Sequence, residues 1–286
     1  MAGMGFPRFL AASAAAAWGL GASAPAMAEF ARPGQLGFQA PASPSAHAIY
    51  DFHNLLLVII TLIAVFVLGL LVYVMFRFAE SRNPKPTRTT HNALVEVLWT
   101  MIPVVILFAI AWPSFALLYE QEDVSDAEMT LKAIGRQWYW SYEYPDHGNF
   151  TFDANLIPDE DLGSDQLRLL STDNVVVLPV DTKIRILVTA SDVLHNFAMP
   201  AFGIKMDAVP GRINETWVEI TREGTFYGQC SELCGTGHAY MPIEIHAVSK
   251  AAFEDWVEQA REEFATLAPD DGDSAARPTQ LAATPK

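Results

Sequence analysis

Cysteine is the scarcest chemically active residue in this sequence, with only two among 286 residues. Cys230 and Cys234 therefore act together, because the chain offers them no other thiol. No Cys-x-x-Cys-His signature follows Ala265, so we do not expect a fused haem-binding cytochrome domain. Residues 120–269 also show no recognisable Ser-His-Asp set, phosphate-binding loop or carboxylate dyad. Bond-making chemistry would have to take place in another protein.

Basic residues are the second shortage. The chain has 18 Lys and Arg against 33 Asp and Glu, and a formal net charge of -15. Residues 120–269 hold 26 of these acids and only 10 of the basic residues. Nucleic acid is therefore not an expected partner, whereas a basic protein would be attracted to this part of the chain.

Two long stretches have almost no charge. Residues 55–75 contain none, and residues 94–119 contain a single acid, Glu96. Each is long enough to cross a hydrocarbon core of about 30 Å as a helix. We predict a transmembrane hairpin over residues 53–119 with a cytoplasmic loop at about 77–92, because short loops rich in Lys and Arg stay inside.

The two ends of the chain lack hydrophobic periodicity. Residues 1–28 combine Arg8, an Ala-rich apolar run and Ala26-Met27-Ala28, which is the pattern of a cleaved signal peptide. Residues 29–52 are predicted to be an exported N-terminal segment, of which residues 29–48 show no period and are expected to be extended. Residues 268–286 are predicted to be a disordered or processed tail. Both termini then lie outside the cytoplasm.

Residues 120–267 have a different character, with short β-branched and aromatic runs separated by turn residues. Strands are predicted at 129–134, 137–144, 175–179, 183–189, 213–220, 224–229 and 242–247. So many short strands favour a Greek-key sandwich or barrel. An amphipathic helix at about 250–267 follows them.

The segment from Cys230 to Met241 places two thiols, the His238 imidazole and a thioether in one short loop. Such soft ligands favour copper, zinc or iron-sulfur over calcium or magnesium. A disulfide needs neither the histidine nor the methionine, and a tetrahedral zinc site has no use for Met241. A mononuclear blue-copper site leaves one thiolate unexplained. Two coppers bridged by both thiolates would use every ligand.

The motif Cys-Ser-Glu-Leu-Cys-Gly-x-x-His-x-x-Met resembles the CuA site of cytochrome c oxidase subunit II, as in bacterial aa3-type haem-copper oxidases. The resemblance covers residues 45–260 and includes the Gln137-Trp138-Tyr139-Trp140 run and the Val193-Leu194-His195 run. It implies a membrane-anchored all-β protein, a two-helix transmembrane hairpin followed by a cupredoxin-like Greek-key β-barrel. The implied ligands of the two coppers are His195, Cys230, the Glu232 carbonyl, Cys234, His238 and Met241.

The resemblance also implies a function and partners. The chain would accept electrons from cytochrome c and pass them to a haem in subunit I, within a bacterial inner membrane and with the copper domain on the periplasmic side. Trp138 would be the point of electron input, and the Glu232 side chain would bind a magnesium or manganese ion at the subunit I interface. Glu96 would lie at the mouth of a proton path, although a carboxylate there also complements a helix dipole.

The acidic excess suggests a docking surface for a Lys-rich cytochrome c. The candidate residues are Glu143, Asp146, Asp153, Asp173, Asp192 and Asp207. Two related classes of protein are alternatives. A quinol oxidase subunit lacks the copper ligands that are present here, and nitrous oxide reductase would need a large additional catalytic domain.

Overall fold

The computed structural model describes residues 29–265, so the predicted signal peptide at 1–28 and tail at 268–286 lie outside the described residues. Helix α1 spans Pro44–Arg77 and helix α2 spans Ala93–Glu122. An 18-residue stretch within each helix has a mean hydropathy of 3.4 and 2.4 respectively, and the lengths of 34 and 30 residues suit membrane crossing. Large side chains such as Phe108 (75% exposed) and Trp112 (84%) project from α2. The predicted apolar hairpin is confirmed.

The beginning of α1 differs from the prediction. Residues 44–48 were expected to be extended, yet the helix begins at Pro44. Ser43 is the N-cap, since its Oγ accepts a hydrogen bond from the amide of Ala46 at 3.0 Å. Proline at the first helical position is compatible with the helix because its missing N–H would be unpaired there anyway. The cap is anchored to the β domain, because Ser43 Oγ also donates to the carbonyl of Phe202 at 2.7 Å.

Ten strands follow the hairpin. In chain order they are β1 Met129–Arg136, β2 Tyr139–Tyr144, β3 Phe150–Ala154, β4 Val176–Pro179, β5 Lys183–Ala190, β6 His195–Met199, β7 Ile204–Ala208, β8 Asn214–Glu219, β9 Gly224–Cys230 and β10 Pro242–Val248. They form two five-stranded sheets, one in the order β3-β2-β1-β5-β8 and the other in the order β4-β10-β9-β6-β7. The expected cupredoxin-like domain is therefore built as a two-sheet sandwich.

The core lies between the two sheets. Strands β1 and β5 alternate buried and half-buried residues along their whole length, as expected for strands with one face on a core. Trp140 of β2 meets Phe197 of β6 edge to face, with ring centroids 5.3 Å apart. Helix α3, Lys250–Ala265, covers one end by stacking Phe264 on Phe152. The aromatic residues of β2 thus serve mainly as packing.

Strands β3, β6 and β7 were not predicted. Strand β6 is buried at all five positions, so it has no alternation by which the sequence could reveal it. Strand β3 does alternate, with Phe150, Phe152 and Ala154 buried, and this signal was available in the sequence. The omission matters because β6 carries His195 as its first residue.

Candidate metal centre

The two cysteines lie in the loop between β9 and β10, Cys230 where the loop begins and Cys234 within it. Cys230 is the last residue of β9, and its amide donates to the carbonyl of Met241 at 3.1 Å, which closes the loop. The two Sγ atoms are 3.9 Å apart, far beyond the disulfide bond length of about 2.05 Å. Both thiols are free and buried. The geometry therefore favours metal ligation over a disulfide.

Each thiol faces an imidazole nitrogen. His195 Nδ1 lies 3.9 Å from Cys230 Sγ, and His238 Nδ1 lies 3.6 Å from Cys234 Sγ. Met241, which is 1% exposed, brings its Sδ to 3.9 Å from Cys234 Sγ. His195, Cys230 and Cys234 form a potential metal-binding group whose ligand atoms lie within 4.8 Å of one another.

Glu232 contributes to the loop through its backbone. Its carbonyl oxygen lies 3.3 Å from Cys230 Sγ, while the residue itself is exposed. The structure thus points the carbonyl toward the thiols and leaves the carboxylate at the surface. This arrangement suits the two separate roles predicted for Glu232, a carbonyl for copper and a carboxylate for a harder ion.

The orientation of His195 is set by a carboxylate. Its Nε2–H donates to Asp192 Oδ1 at 2.9 Å, which leaves the Nδ1 lone pair directed toward the thiols. Burial lowers the pKa of His195, but hydrogen bonds with Cys230 and Asp192 outweigh it and raise this pKa above its usual value. The pKa of Asp192 is lowered, because bonds from His195 and from the amides of Val193 and Gln137 exceed the opposing effect of its partial burial.

The two thiols differ strongly in acidity in the metal-free chain. Burial raises the pKa of Cys230, but the hydrogen bond with His195 and nearby backbone groups more than offset this and lower it to about 6. Burial and the negative charge of Cys230 together raise the pKa of Cys234 to about 12. Cys230 is therefore the thiol that is already ionised near neutral pH.

Trp138 lies directly on the cysteine loop. Its indole Nε1–H donates to the carbonyl of Cys234 at 3.2 Å, and the Gln137 side-chain amide donates to the same oxygen at 2.8 Å. The ring packs so close to Gly237 that a Cβ there would lie 2.3 Å from ring carbons. Because Trp138 remains 37% exposed, it connects the surface to a ligand residue by one hydrogen bond.

Four of the predicted docking acids lie at the Trp138 end of the sandwich. Asp192 bonds the ligand His195, and Asp207 accepts from Asn196, the next residue, at 2.7 Å. The other two, Asp153 and Asp173, lie close to where β2 begins and β3 ends. Asp153 accepts from Ser141 Oγ at 2.5 Å, and Asp173 accepts from the amide of Asn155 at 2.7 Å.

The other two acids lie further from the cysteine loop. Asp146 accepts from the amide of Thr130 at 2.6 Å, at the beginning of β1. The chain from Thr130 to the other end of β1 rises by about 20 Å at about 3.3 Å per residue. Glu143 lies partway along and forms an ion pair with Lys132 at 2.6 Å. The six acids are therefore spread over the length of the sandwich.

Glu96 lies in the first turn of α2, far along the chain from the loop. Its Oε1 accepts from the amide of Asn92 at 3.1 Å, and Asn92 Oδ1 accepts from the amide of Val95 at 3.2 Å. This reciprocal arrangement is similar to a capping box, so Glu96 has a structural role in beginning the helix.

Three contributors to the site had not been predicted. Asp192 was expected to face a partner protein, but the structure bonds it to His195. Gln137 and Gly135 were not considered, although Gln137 bonds the Cys234 carbonyl and Gly135 lies against the His195 ring. The contacts of Gln137 and Gly135 join residues far apart in the chain, up to 97 positions, so no local pattern in the sequence could have revealed them. Asp192 lies only three positions before His195, and this short spacing was visible in the sequence.

The donor set fits a binuclear copper centre. Two buried thiols, two imidazole nitrogens directed at them, a thioether and a carbonyl oxygen offer more soft ligands than one tetrahedral ion requires. The sandwich, the apolar hairpin and this group define a membrane-anchored protein of the cupredoxin type.

Family models described as the periplasmic and transmembrane domains of cytochrome c oxidase subunit II match residues 129–248 and 31–117. The chain belongs to the cytochrome c oxidase subunit II family and is thus part of an oxidoreductase complex.

Individual relatives agree with this family. The chain is 52% identical over 225 residues to the probable cytochrome c oxidase subunit 2 of Rickettsia bellii (strain RML369-C), covering 79% of this chain and 84% of the relative. It is 51% identical over 238 residues to cytochrome c oxidase subunit 2 of Oenothera berteroana, covering 81% and 92%. It is also similar to the crystal structure of the periplasmic domain of subunit II of cytochrome oxidase of Bradyrhizobium japonicum. That similarity has 54% identity and a TM-score of 0.47, and it covers 49% of this chain and 99% of that one.

Proposed function

We propose that this chain receives electrons from a cytochrome c at a binuclear CuA centre and passes them to the haem of subunit I, where oxygen is reduced to water with proton pumping. The observation that carries the proposal is the pairing of each buried thiol with one imidazole Nδ1. A copper-free quinol oxidase subunit would have no need for this complete ligand set.

The residues of the chain would hold the centre with little freedom to move. Cys230 and Cys234 would hold the copper ions as thiolates, His195 and His238 would each supply an imidazole nitrogen, and Met241 and the Glu232 carbonyl would complete the set. Two bound coppers supply one-electron redox chemistry in which the change of charge is spread over both ions. Cys230 and His195 end and begin strands, so their backbones are fixed by sheet hydrogen bonds. Such rigidity keeps the ligand positions similar in both oxidation states.

Trp138 is the proposed point of electron input. Its exposed indole reaches the surface, while its Nε1–H bonds the carbonyl of Cys234, a residue that also supplies a bridging thiolate. A cytochrome c that docks over the ring would therefore be connected to the ligand shell through one side chain and one hydrogen bond. The acids around this end would steer a basic donor.

The remaining proposed roles concern the membrane and subunit I. The basic loop between α1 and α2 would lie in the cytoplasm, which places the sandwich on the periplasmic side of a bacterial inner membrane. The exposed Glu232 carboxylate would bind magnesium or manganese together with groups from subunit I, since one carboxylate is too few for such an ion. Glu96 would lie on the cytoplasmic side, where protons are taken up.

The test is metal analysis followed by rapid-mixing kinetics on the assembled oxidase. We expect the wild-type oxidase to hold two more coppers per copy of this chain than a Cys230→Ser oxidase, and to be reduced rapidly by ferrocytochrome c. Trp138→Phe should slow that reduction while cytochrome c binding and copper content persist. Trp217→Phe is a matched control, because Trp217 also donates its Nε1–H to a backbone carbonyl, that of Glu120 at 3.0 Å, but lies on β8. Equal rates in the two variants would contradict electron input through Trp138.

A further inference from the structure

Gly135, near the end of β1, lies directly beneath the imidazole of His195. A Cβ added to Gly135 would lie 2.8 Å from both Cγ and Cδ2 of His195 and 3.0 Å from its Cβ. These distances are well inside van der Waals contact. Because φ of Gly135 does not lie in the left-handed region, alanine could adopt this backbone, and the three atoms nearest to the added Cβ all belong to His195.

The backbone of Gly135 cannot move to relieve such a contact. Gly135 pairs with Trp140 of β2 on one side and with Ala190 of β5 on the other. Its carbonyl also accepts from the amide of Ser191 at 3.1 Å. A shift of the glycine would therefore break the ladder on both sides, so the imidazole is the part that must move.

The imidazole of His195 is confined as well. The residue is fully buried, and its Nε2 is held at 2.9 Å by Asp192. Trp140 lies beside it, with ring centroids 6.1 Å apart, and its Nδ1 faces Cys230 Sγ at 3.9 Å. Any displacement away from Gly135 must therefore change the bond to Asp192, the distance from Nδ1 to the thiol, or both.

We propose that Gly135 is a positioning residue for the metal centre. Because Gly135 has no side chain, His195 can lie close to β1, in the position where its Nδ1 faces the thiols. This inference rests on the proposed function for its metal role, while the contact between Gly135 and His195 can be tested without metal. A methyl group at position 135 would move one ligand and leave Cys230, Cys234, His238 and Met241 in place.

The first test is Gly135→Ala in the full chain within the oxidase, with Gly37→Ala as control. Gly37 has no atom within 4 Å of an added Cβ, and its φ lies outside the left-handed region. We expect Gly135→Ala to change the copper hyperfine pattern in electron paramagnetic resonance, or to lose copper from the site. Gly37→Ala should leave both unchanged. A wild-type spectrum and full copper content in Gly135→Ala would overturn the proposal.

The second test is a double-mutant cycle on the metal-free full chain in detergent. Gly135→Ala alone should lower the midpoint of thermal unfolding by roughly 3 to 10 °C, as overpacking does in other cores. In a His195→Ala background most of this loss should disappear, because Cγ and Cδ2 are gone. If Gly135→Ala alone fails to fold, the double variant should recover the fold. An equal loss with and without the imidazole, or a double variant that also fails to fold, would overturn the proposal. Absence of copper from the wild-type oxidase would contradict the proposed function instead.

Discussion

At the level of single residues, the thiols carry the clearest consequences. They are the only two in the chain, and both are buried beside an imidazole. Cys230→Ser or Cys234→Ser should abolish the binuclear centre, because a hydroxyl cannot replace a bridging thiolate. The sheets should remain folded, since a buried hydroxyl costs only about 1–3 kcal/mol. Metal analysis and circular dichroism check both expectations. Wild-type copper content with a mixed-valence spectrum in either variant would overturn the ligand assignment.

The difference in acidity between the thiols can be measured in the metal-free, reduced chain. With the pKa of Cys230 lowered to about 6 and that of Cys234 raised to about 12, ultraviolet titration should show one thiolate per chain between these values. Cys230→Ser should remove the acidic step. Since metal ligation requires both thiolates, copper binding should release one more proton below pH 6 than above it. Copper affinity should therefore rise more steeply with pH in the acidic range. Absence of thiolate up to pH of about 8.5, the ordinary value, would contradict this prediction.

At the level of the secondary-structure elements, helix α2 raises the question of what Glu96 does. Its Oε1 caps the helix through the amide of Asn92, and a glutamine would keep this acceptor while it removes the charge. Glu96→Gln should therefore preserve the helix and copper content but slow oxidase turnover several-fold if the charge serves proton uptake. Glu96→Ala is the control for the cap, because it removes both the hydrogen-bond acceptor and the negative charge. It should lower the free energy of unfolding by about 0.5–2 kcal/mol. Wild-type turnover of Glu96→Gln across neutral pH would leave the cap as the whole role of Glu96.

At the level of the whole molecule, the position of each acid decides its value for docking. Asp192 is unsuitable for a test by mutation, because its loss would also release His195. Asp173→Asn with Asp207→Asn removes two charges at the Trp138 end, and Asp146→Asn with Glu143→Gln removes two further away. Charges are screened beyond about 8 Å at physiological salt. The first pair should raise the Michaelis constant for cytochrome c several-fold at low salt, and the effect should vanish at high salt.

The second pair is the matched control, since it makes the same change in net charge at a different place. Its effect on the Michaelis constant should be smaller at every salt concentration. If the two double variants responded alike, the acids would act through net charge alone. The docking surface would then lie elsewhere.

The sequence alone determined the features that are local in the chain. The loop from Cys230 to Met241 carries five of the six predicted metal ligands within 12 residues, so its chemistry was visible before any fold was known. The two apolar runs likewise required helices in a membrane, because only a helix satisfies its own backbone there. Seven of the strands were found from their β-branched and aromatic composition and from the turn residues between them.

Only the tertiary structure decided how distant segments meet. His195 reaches the cysteine loop because β6 pairs with β9, which places Phe197 opposite Cys230. Trp138 came to bond the Cys234 carbonyl, 96 positions along the chain, through a contact that no periodicity encodes. All six acids were equally plausible docking residues in the sequence. In the structure, the register of β1, β2 and β3 places Asp146 and Asp153 far apart. Strand pairing depends on the joint packing of both sheets, so these juxtapositions are properties of the folded molecule rather than of any segment.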